Sequence, residues 1–287
     1  MNQPPQSKQF RPQAAHGCDV VVHIQQLCTQ PKTFVYMSKK IAVGIDVGTY
    51  QIKVVVAQHD SKQQRAKILG TGYAHSRGIR HGYVINQQDL SKTLQSAVTQ
   101  AEKASGIAVR RAYLSVGGVG LEEYRSRAEL IVSRADSEVT DLDVKNVIEE
   151  SERKISQRLV NRKVIHAIPL AYRLDGERLL GRPIGMKGTK LEVDSLFITA
   201  LEQHLNDLIA AVEEVGISVI DVMASPLAGS FVTLTKAQKI AGVVLANVGA
   251  ETISVAVFEN DVPISVKVFP VGSTDITHDI ALGLKIS

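Results

Sequence analysis

Residues 41–60 recur at residues 242–261, at an offset of 201 with no gap. Val43, Val47, Gly48, Ile52, Val54, Val56 and Asp60 are matched by Val244, Val248, Gly249, Ile253, Val255, Val257 and Asp261, and Asp46 faces Asn247. An offset of this size is far too long for a solenoid repeat. It predicts two related halves, each opening with a strand, a glycine turn and a second strand.

Two such hairpins facing across a cleft have a chemical use. Glycine lets the backbone approach a phosphate closely. Successive turn N–H groups make an anion-binding concavity, and Thr49 and Thr252 can add hydroxyl donors. Asp46, at the tip of the first strand, suits Mg²⁺ held through water. The alternative is a pair of ordinary hairpins whose glycines supply turn geometry.

The rest of the pattern is mixed α/β. Ile41–Asp46, Ile52–Val56, Ala66–His75 and Arg111–Val116 read as strands by alternation. Leu90, Leu94, Ala97, Val98 and Ala101 follow helical spacing, with Gly106 as a stop. In 117–195 the texture changes. Glu129–Ser133 is a strand candidate, and Thr140 with Asp143 forms a capping box ahead of a charged helix. Lys163–Tyr172 and Leu191–Thr199 read as strands around a glycine-rich loop. Leu201, Leu205, Leu208, Ile209 and Val212 make an amphipathic helix ended by Gly216. Ser225-Pro226 predicts an N-cap followed by proline. Three strands follow at Gly242–Asn247, Ile253–Glu259 and Pro263–Phe269, then a helix over Thr274–Lys285 with no cap visible before Ser287.

Charge adds little once it is located. The net +4 lies entirely in residues 1–40, where Lys8, Arg11, Lys32, Lys39 and Lys40 face only Asp19. The remaining 28 bases and 28 acids balance, so the body gives no support for nucleic-acid binding. The leader is rich in Gln and holds four of the nine prolines and both cysteines, Cys18 and Cys28. That composition predicts disorder over 1–38, and Met37 reads as the natural start. The leader bases lack the apolar period of a lipid-binding helix. No apolar run reaches transmembrane length. A body without cysteine excludes a disulfide scaffold and cysteine-ligated zinc, and the histidines form no metal motif. His166, amid Val164, Ile165 and Ile168, reads as a packed strand residue. Glu149–Arg153 reads as a solvated helix face or a filament contact.

Ile45-Asp46-Val47-Gly48-Thr49 resembles the first phosphate loop of the actin/Hsp70/sugar-kinase superfamily. Within it the chain resembles the FtsA family of bacterial cell-division proteins. The supporting segments are Ser76–Gly82, Val139–Val144, Val164–Pro169 and Gly272–Leu284. The resemblance implies an actin-like, ribonuclease H-like mixed-sheet α/β fold. Its parts would be domain I in two pieces (39–116 and 196–238), an inserted 1C (SHS2) subdomain at 117–195, and the start of domain II at 239–287.

It also implies ATP with Mg²⁺ in the cleft, contacted by Asp46, Gly48, Thr49, Tyr50 and Lys53 and by Asn247, Gly249, Ala250 and Thr252, with Asp46 toward the metal. The implied partners are FtsZ, further copies through 117–195, later division proteins, and the inner membrane through a C-terminal helix. That helix, the FtsZ-binding element and the adenosine loop normally lie beyond Ser287, so the chain reads as the first two-thirds of such a protein. The implied location is the cytoplasmic face of the membrane at the septum.

The departures are specific. The family's second loop, Asp-Ile-Gly-Gly-Gly-Thr-Thr-Asp, is Asn247-Val248-Gly249-Ala250-Glu251-Thr252-Ile253-Ser254, without either acid and with Glu251 where a glycine stands. The family's Glu-Pro-Leu-Ala is Ser225-Pro226-Leu227-Ala228, and the lysine after the first Gly-Thr is Gln51. Phosphoryl transfer depends on positioned charge, so the departures predict weak or absent hydrolysis. The alternatives are a PilM-like pilus assembly protein and a sugar kinase of the same superfamily.

Overall fold

The computed structural model describes residues 41–60 and 65–286; the expected leader at 1–38 lies outside them. A central five-stranded sheet has the order β11–β6–β1–β2–β3. Its members are β1 (Ile41–Val47), β2 (Gln51–Asp60), β3 (Arg65–His75), β6 (Arg111–Val116) and β11 (Ser218–Ala224). The first three form an antiparallel meander, whereas β6 and β11 join in parallel. Period-two alternation sends Val43, Ile45 and Val47 of β1 and Ile52, Val54 and Val56 of β2 into the core. A two-stranded ribbon, β4 (Ile79–Arg80) with β5 (Tyr83–Val84), follows β3.

Helix α1 (Gln87–Ser105) is the crossover toward β6. The Asn86 side chain caps it by accepting from the Asp89 N–H, and Gly106 ends it in the left-handed region at φ 68°. Its stripe of Leu90, Leu94, Ala97, Val98 and Ala101 is buried. The helix lies so close to β3 that a Cβ on Gly72 would fall 1.9 Å from the Ala97 carbonyl oxygen.

Between β6 and β11 the chain builds a second sheet, β7–β10–β8–β9, all antiparallel. Its strands are β7 (Glu122–Ile131), β8 (Arg162–Leu174), β9 (Glu177–Leu179) and β10 (Lys190–Leu201). Helix α2 (Asp141–Lys154) covers one face, with Thr140 and Asp143 forming the expected capping box. Val144, Val147 and Ile148 of α2 join Leu191, Val193 and Phe197 of β10 in a core of their own. Strand β10 runs past residue 195, and its last turns of side chain, Ile198 and Ala200, enter the central core instead. Helix α3 (Glu202–Glu214) then returns the chain to β11.

Helix α4 (Ser225–Thr233), helix α5 (Lys236–Ala241) and a three-stranded sheet complete the path. That sheet has the order β12–β13–β14, with β12 at Val243–Val248, β13 at Ile253–Glu259 and β14 at Val262–Phe269. The last helix, α6 (Ser273–Leu284), buries none of its residues.

Two sequence expectations need correction. Ser225 is not an N-cap: it is the first helical residue, and Ala224 holds the cap position without a side-chain bond. Ala224 is still paired with Val116 in the sheet, so the helix starts directly from the strand. The C-terminal helix does not run uncapped. Lys285 turns left-handed at φ 53°, and Ile286 donates its N–H to the Ala281 carbonyl at 3.0 Å. Strand β11, helix α5 and the β4–β5 ribbon went unanticipated, and β7 starts seven residues before the predicted strand at Glu129. Among the described residues no helix is long and apolar enough to cross a membrane.

Candidate functional site

The two hairpins are the same object at the level of register. In the first, Val47 pairs with Ile52, Asp46 with Lys53 and Val43 with Val56. In the second, Val248 pairs with Ile253, Asn247 with Ser254 and Val244 with Val257. The offset of 201 therefore holds for paired residues on both strands. It extends to the third strand of each unit, where the ladder shifts register after Val56 and after Val257.

The turns share their chemistry as well. A Cβ on Gly48 would sit 3.0 Å from the Gln51 carbonyl oxygen, and one on Gly249 would sit 2.9 Å from that of Thr252. Close backbone approach, rather than positive φ, is what demands glycine at both positions. Each glycine carbonyl is then held by a serine: Ser76 donates its hydroxyl to Gly48 at 2.5 Å, and Ser273 donates its N–H to Gly249 at 2.9 Å. The start of α6 adds a further brace, as Thr274 donates both N–H and hydroxyl to the Ala250 carbonyl.

The side chains differ. In the first hairpin Asp46 and Lys53 form an ion pair of 3.2 Å, with both side chains nearly half exposed. Tyr50 is exposed and meets His75 edge to face, ring centres 4.9 Å apart. In the second hairpin Asn247 is exposed and no acid stands at its position. Glu251 instead reaches across to the loop of residues 76–82. Its carboxylate accepts the His81 N–H at 2.5 Å, and its carbonyl lies 3.2 Å from His81 Nδ1.

His81 has φ 48°, and the next residue, Gly82, packs so tightly on Gly118 that a Cβ there would fall 2.5 Å from its Cα. Gly117 in turn faces Ser225, whose hydroxyl would lie 2.8 Å from an added Cβ. Three loops thus meet around His81, whose N–H holds the carboxylate of Glu251. The sequence singles out Glu251 but not His81. The signal for its partner was the Arg80-His81-Gly82 end of the Ser76–Gly82 segment.

A phosphate with Mg²⁺ fits one half of this arrangement. Asp46 is an exposed carboxylate on a glycine turn with Lys53 beside it, the charge set such a ligand needs. The other half does not offer it: no acid replaces Asn247, and Glu251 brings negative charge to the turn. No group of three His, Cys, Asp or Glu side chains converges among the described residues, so a ligand-built metal centre is not present among them. Neither turn lines the cavities of about 490, 460 and 490 Å³ found elsewhere.

His166 is a packing residue. It is fully buried, its Nε2 accepts the Ala224 N–H at 3.0 Å, and burial pulls its pKa down to about 4. It satisfies a donor at the β11–α4 junction and joins the inserted sheet to the central one.

The class of protein is set by this architecture: an actin-like α/β fold with a small α+β subdomain inserted after β6. A solved structure, the PilM-PilN type IV pilus biogenesis complex, shares the fold. Its TM-score is 0.66 at 14% identity, over 87% of this chain and 67% of that one. More particularly, the chain is similar in sequence to FtsA proteins. The profile for the "SHS2 domain inserted in FTSA" matches residues 119–199. "Cell division protein FtsA" of Borreliella burgdorferi is 30% identical over 250 residues, covering 87% of this chain and 60% of the relative. That of Bacillus subtilis is 29% identical over 250 residues, covering 87% and 56%. The chain spans a little over half the length of these curated relatives.

Proposed function

We propose that the chain is the nucleotide-cleft portion of an FtsA-type cell-division adaptor in which ATP binding is weak and hydrolysis absent. The observation that carries this is the pair of register-matched hairpins, one charged as a phosphate loop and the other with Glu251 clasped to His81. Asp46, Gly48, Thr49, Tyr50 and Lys53 would contact nucleotide from one side, with Mg²⁺ near Asp46. Asn247, Gly249, Ala250 and Thr252 would do so from the other. Glu251 must leave His81, or stay and repel phosphate.

In this reading residues 39–116 and 196–238 form the first actin-like domain, 117–195 the inserted subdomain, and 239–287 the opening of the second domain. The adaptor polymerises through the inserted subdomain and recruits later division proteins. It joins FtsZ to the inner membrane at the septum through segments that FtsA proteins carry beyond this point. The shape shared with PilM supports a second reading, a pilus assembly protein.

Titration with Mg-ATP tests the cleft. Wild type is expected to bind weakly and turn over none, and Glu251→Gly to bind at least about tenfold tighter by removing one like charge, roughly 1.4 kcal/mol. Stoichiometric turnover by the wild type would sink the proposal. Co-sedimentation of the longer protein with FtsZ separates the adaptor from the pilus reading, in which it fails.

A further inference from the structure

One face of the inserted sheet is covered by α2. The other looks toward the β13–β14 turn across a cavity of about 490 Å³. Four guanidinium groups line it: Arg125 and Arg127 from β7, Arg173 from β8 and Arg178 from β9. Among the described residues two carboxylates, Asp194 and Glu259, line it with them.

The charges are unequally satisfied. Arg127 and Arg173 both spend themselves on Asp194: Nε of Arg127 is 2.5 Å from Oδ1, and Arg173 reaches Oδ2 at 2.9 Å. Burial pushes the Asp194 pKa up, but the two guanidiniums more than reverse it and hold the carboxyl ionised. Arg125 donates to the Ile264 carbonyl at 2.6 Å and pairs with no carboxylate among the described residues. The Arg178 guanidinium has no partner among the described residues.

Register sharpens the imbalance. Arg178 stands directly opposite Arg173 in the β8–β9 ladder. Like charges facing each other across strands are destabilising, and an arriving anion would relieve that pair. The opposite wall is fixed. Asn260 and Asp261 turn at positive φ and donate their N–H groups to Ile240 and Lys239, while Val262 and Ile264 give the wall an aliphatic surface.

We propose that this cleft binds an extended acidic peptide of a partner protein. Its carboxylates would pair with Arg178 and Arg125, and its apolar side chains would lie on Val262 and Ile264. Guanidinium favours planar oxyanions through paired N–H bonds, and an extended chain presents alternate side chains to one wall. The proposal stands independently of the nucleotide cleft.

The test uses the full chain and a fluorescent decapeptide alternating Glu or Asp with Leu, followed by anisotropy. Wild type should bind it, and Arg178→Glu should weaken binding at least about tenfold, the size of one lost charge-assisted contact. A Lys/Leu version of the peptide should show the reverse preference. Arg178→Glu places an opposite charge before Arg173, so its melting temperature should not fall, which excludes misfolding as the cause. Equal binding of a neutral version of the peptide, with Gln in place of each Glu or Asp, or no effect of Arg178→Glu, would overturn the proposal. So would inorganic phosphate competing at the peptide's own affinity, because the cleft would then be a small-anion site.

Discussion

A few single residues decide how the cleft and its supports behave, and Glu251 and His166 do so through charge. His166 is neutral in the fold because burial lowers its pKa to about 4 from 6.5. Between those values the unfolded chain takes up a proton that the folded chain refuses, so stability rises with pH through that window and falls as pH drops through it. Two and a half pH units correspond to about 3 kcal/mol. Denaturant unfolding at pH 7 and pH 4.5 should therefore show a loss that His166→Gln largely abolishes, since glutamine keeps an acceptor without the titration. An unchanged pH slope in that variant would refute the assignment. The place of Asp46 was legible in sequence because a repeat fixed it, whereas Lys53 was named only through the family resemblance. The hold of His81 on Glu251 was not, because residues 170 positions apart meet only through the tertiary fold.

Among the elements, legibility followed burial. Strands whose alternate residues enter the core, such as β1, β2 and β10, announced themselves. Strand β11 did not: Asp221 breaks the apolar run and the ladder shifts register between Val219 and Asp221. The first half of β7, from Glu122 to Arg127, is polar apart from Tyr124, which alone of the six packs against the subdomain core. Helix α5 is six residues long, yet its capping box was available as Thr235 and Gln238, with Gln238 accepting the Thr235 N–H at 2.8 Å.

Helix α1 illustrates the reverse dependence, of an element on one residue. Gly72→Ala would place a methyl against the Ala97 carbonyl, which is backbone and has nowhere to move. The helix must shift off β3, and overpacking of this kind costs about 1–3 kcal/mol or more. Thermal unfolding should register the drop, whereas Gly181→Ala, which meets nothing within 4 Å, should be silent.

At the scale of the whole molecule, the inserted subdomain is tied to the final sheet by few groups. Glu123 accepts the Val266 N–H at 2.6 Å and the Ser265 hydroxyl at 3.0 Å, and pairs with Lys267 at 3.2 Å. Its side chain is only 12% exposed, so these bonds are sheltered. Glu123→Ala strands a buried N–H, at a cost of about 1–3 kcal/mol. The expected result is faster amide exchange over residues 262–269 with little change in β1 and β2; uniform loss of protection would argue against a local clamp. The final sheet and α6 also present Val244, Val248, Phe269, Ile276, Ile280 and Leu282 to solvent. A surface so apolar predicts self-association of the isolated chain, visible as concentration-dependent light scattering.

The matched registers have an engineering consequence. The two turns agree in length, pairing and the position of the ladder shift. In the proposed reading the two turns differ in side-chain chemistry, which substitution can change. Asn247→Asp, Ala250→Gly and Glu251→Gly together would graft a phosphate loop onto an unaltered scaffold. In the proposed reading the second turn is a dormant socket: the same hairpin frame carrying different contacts.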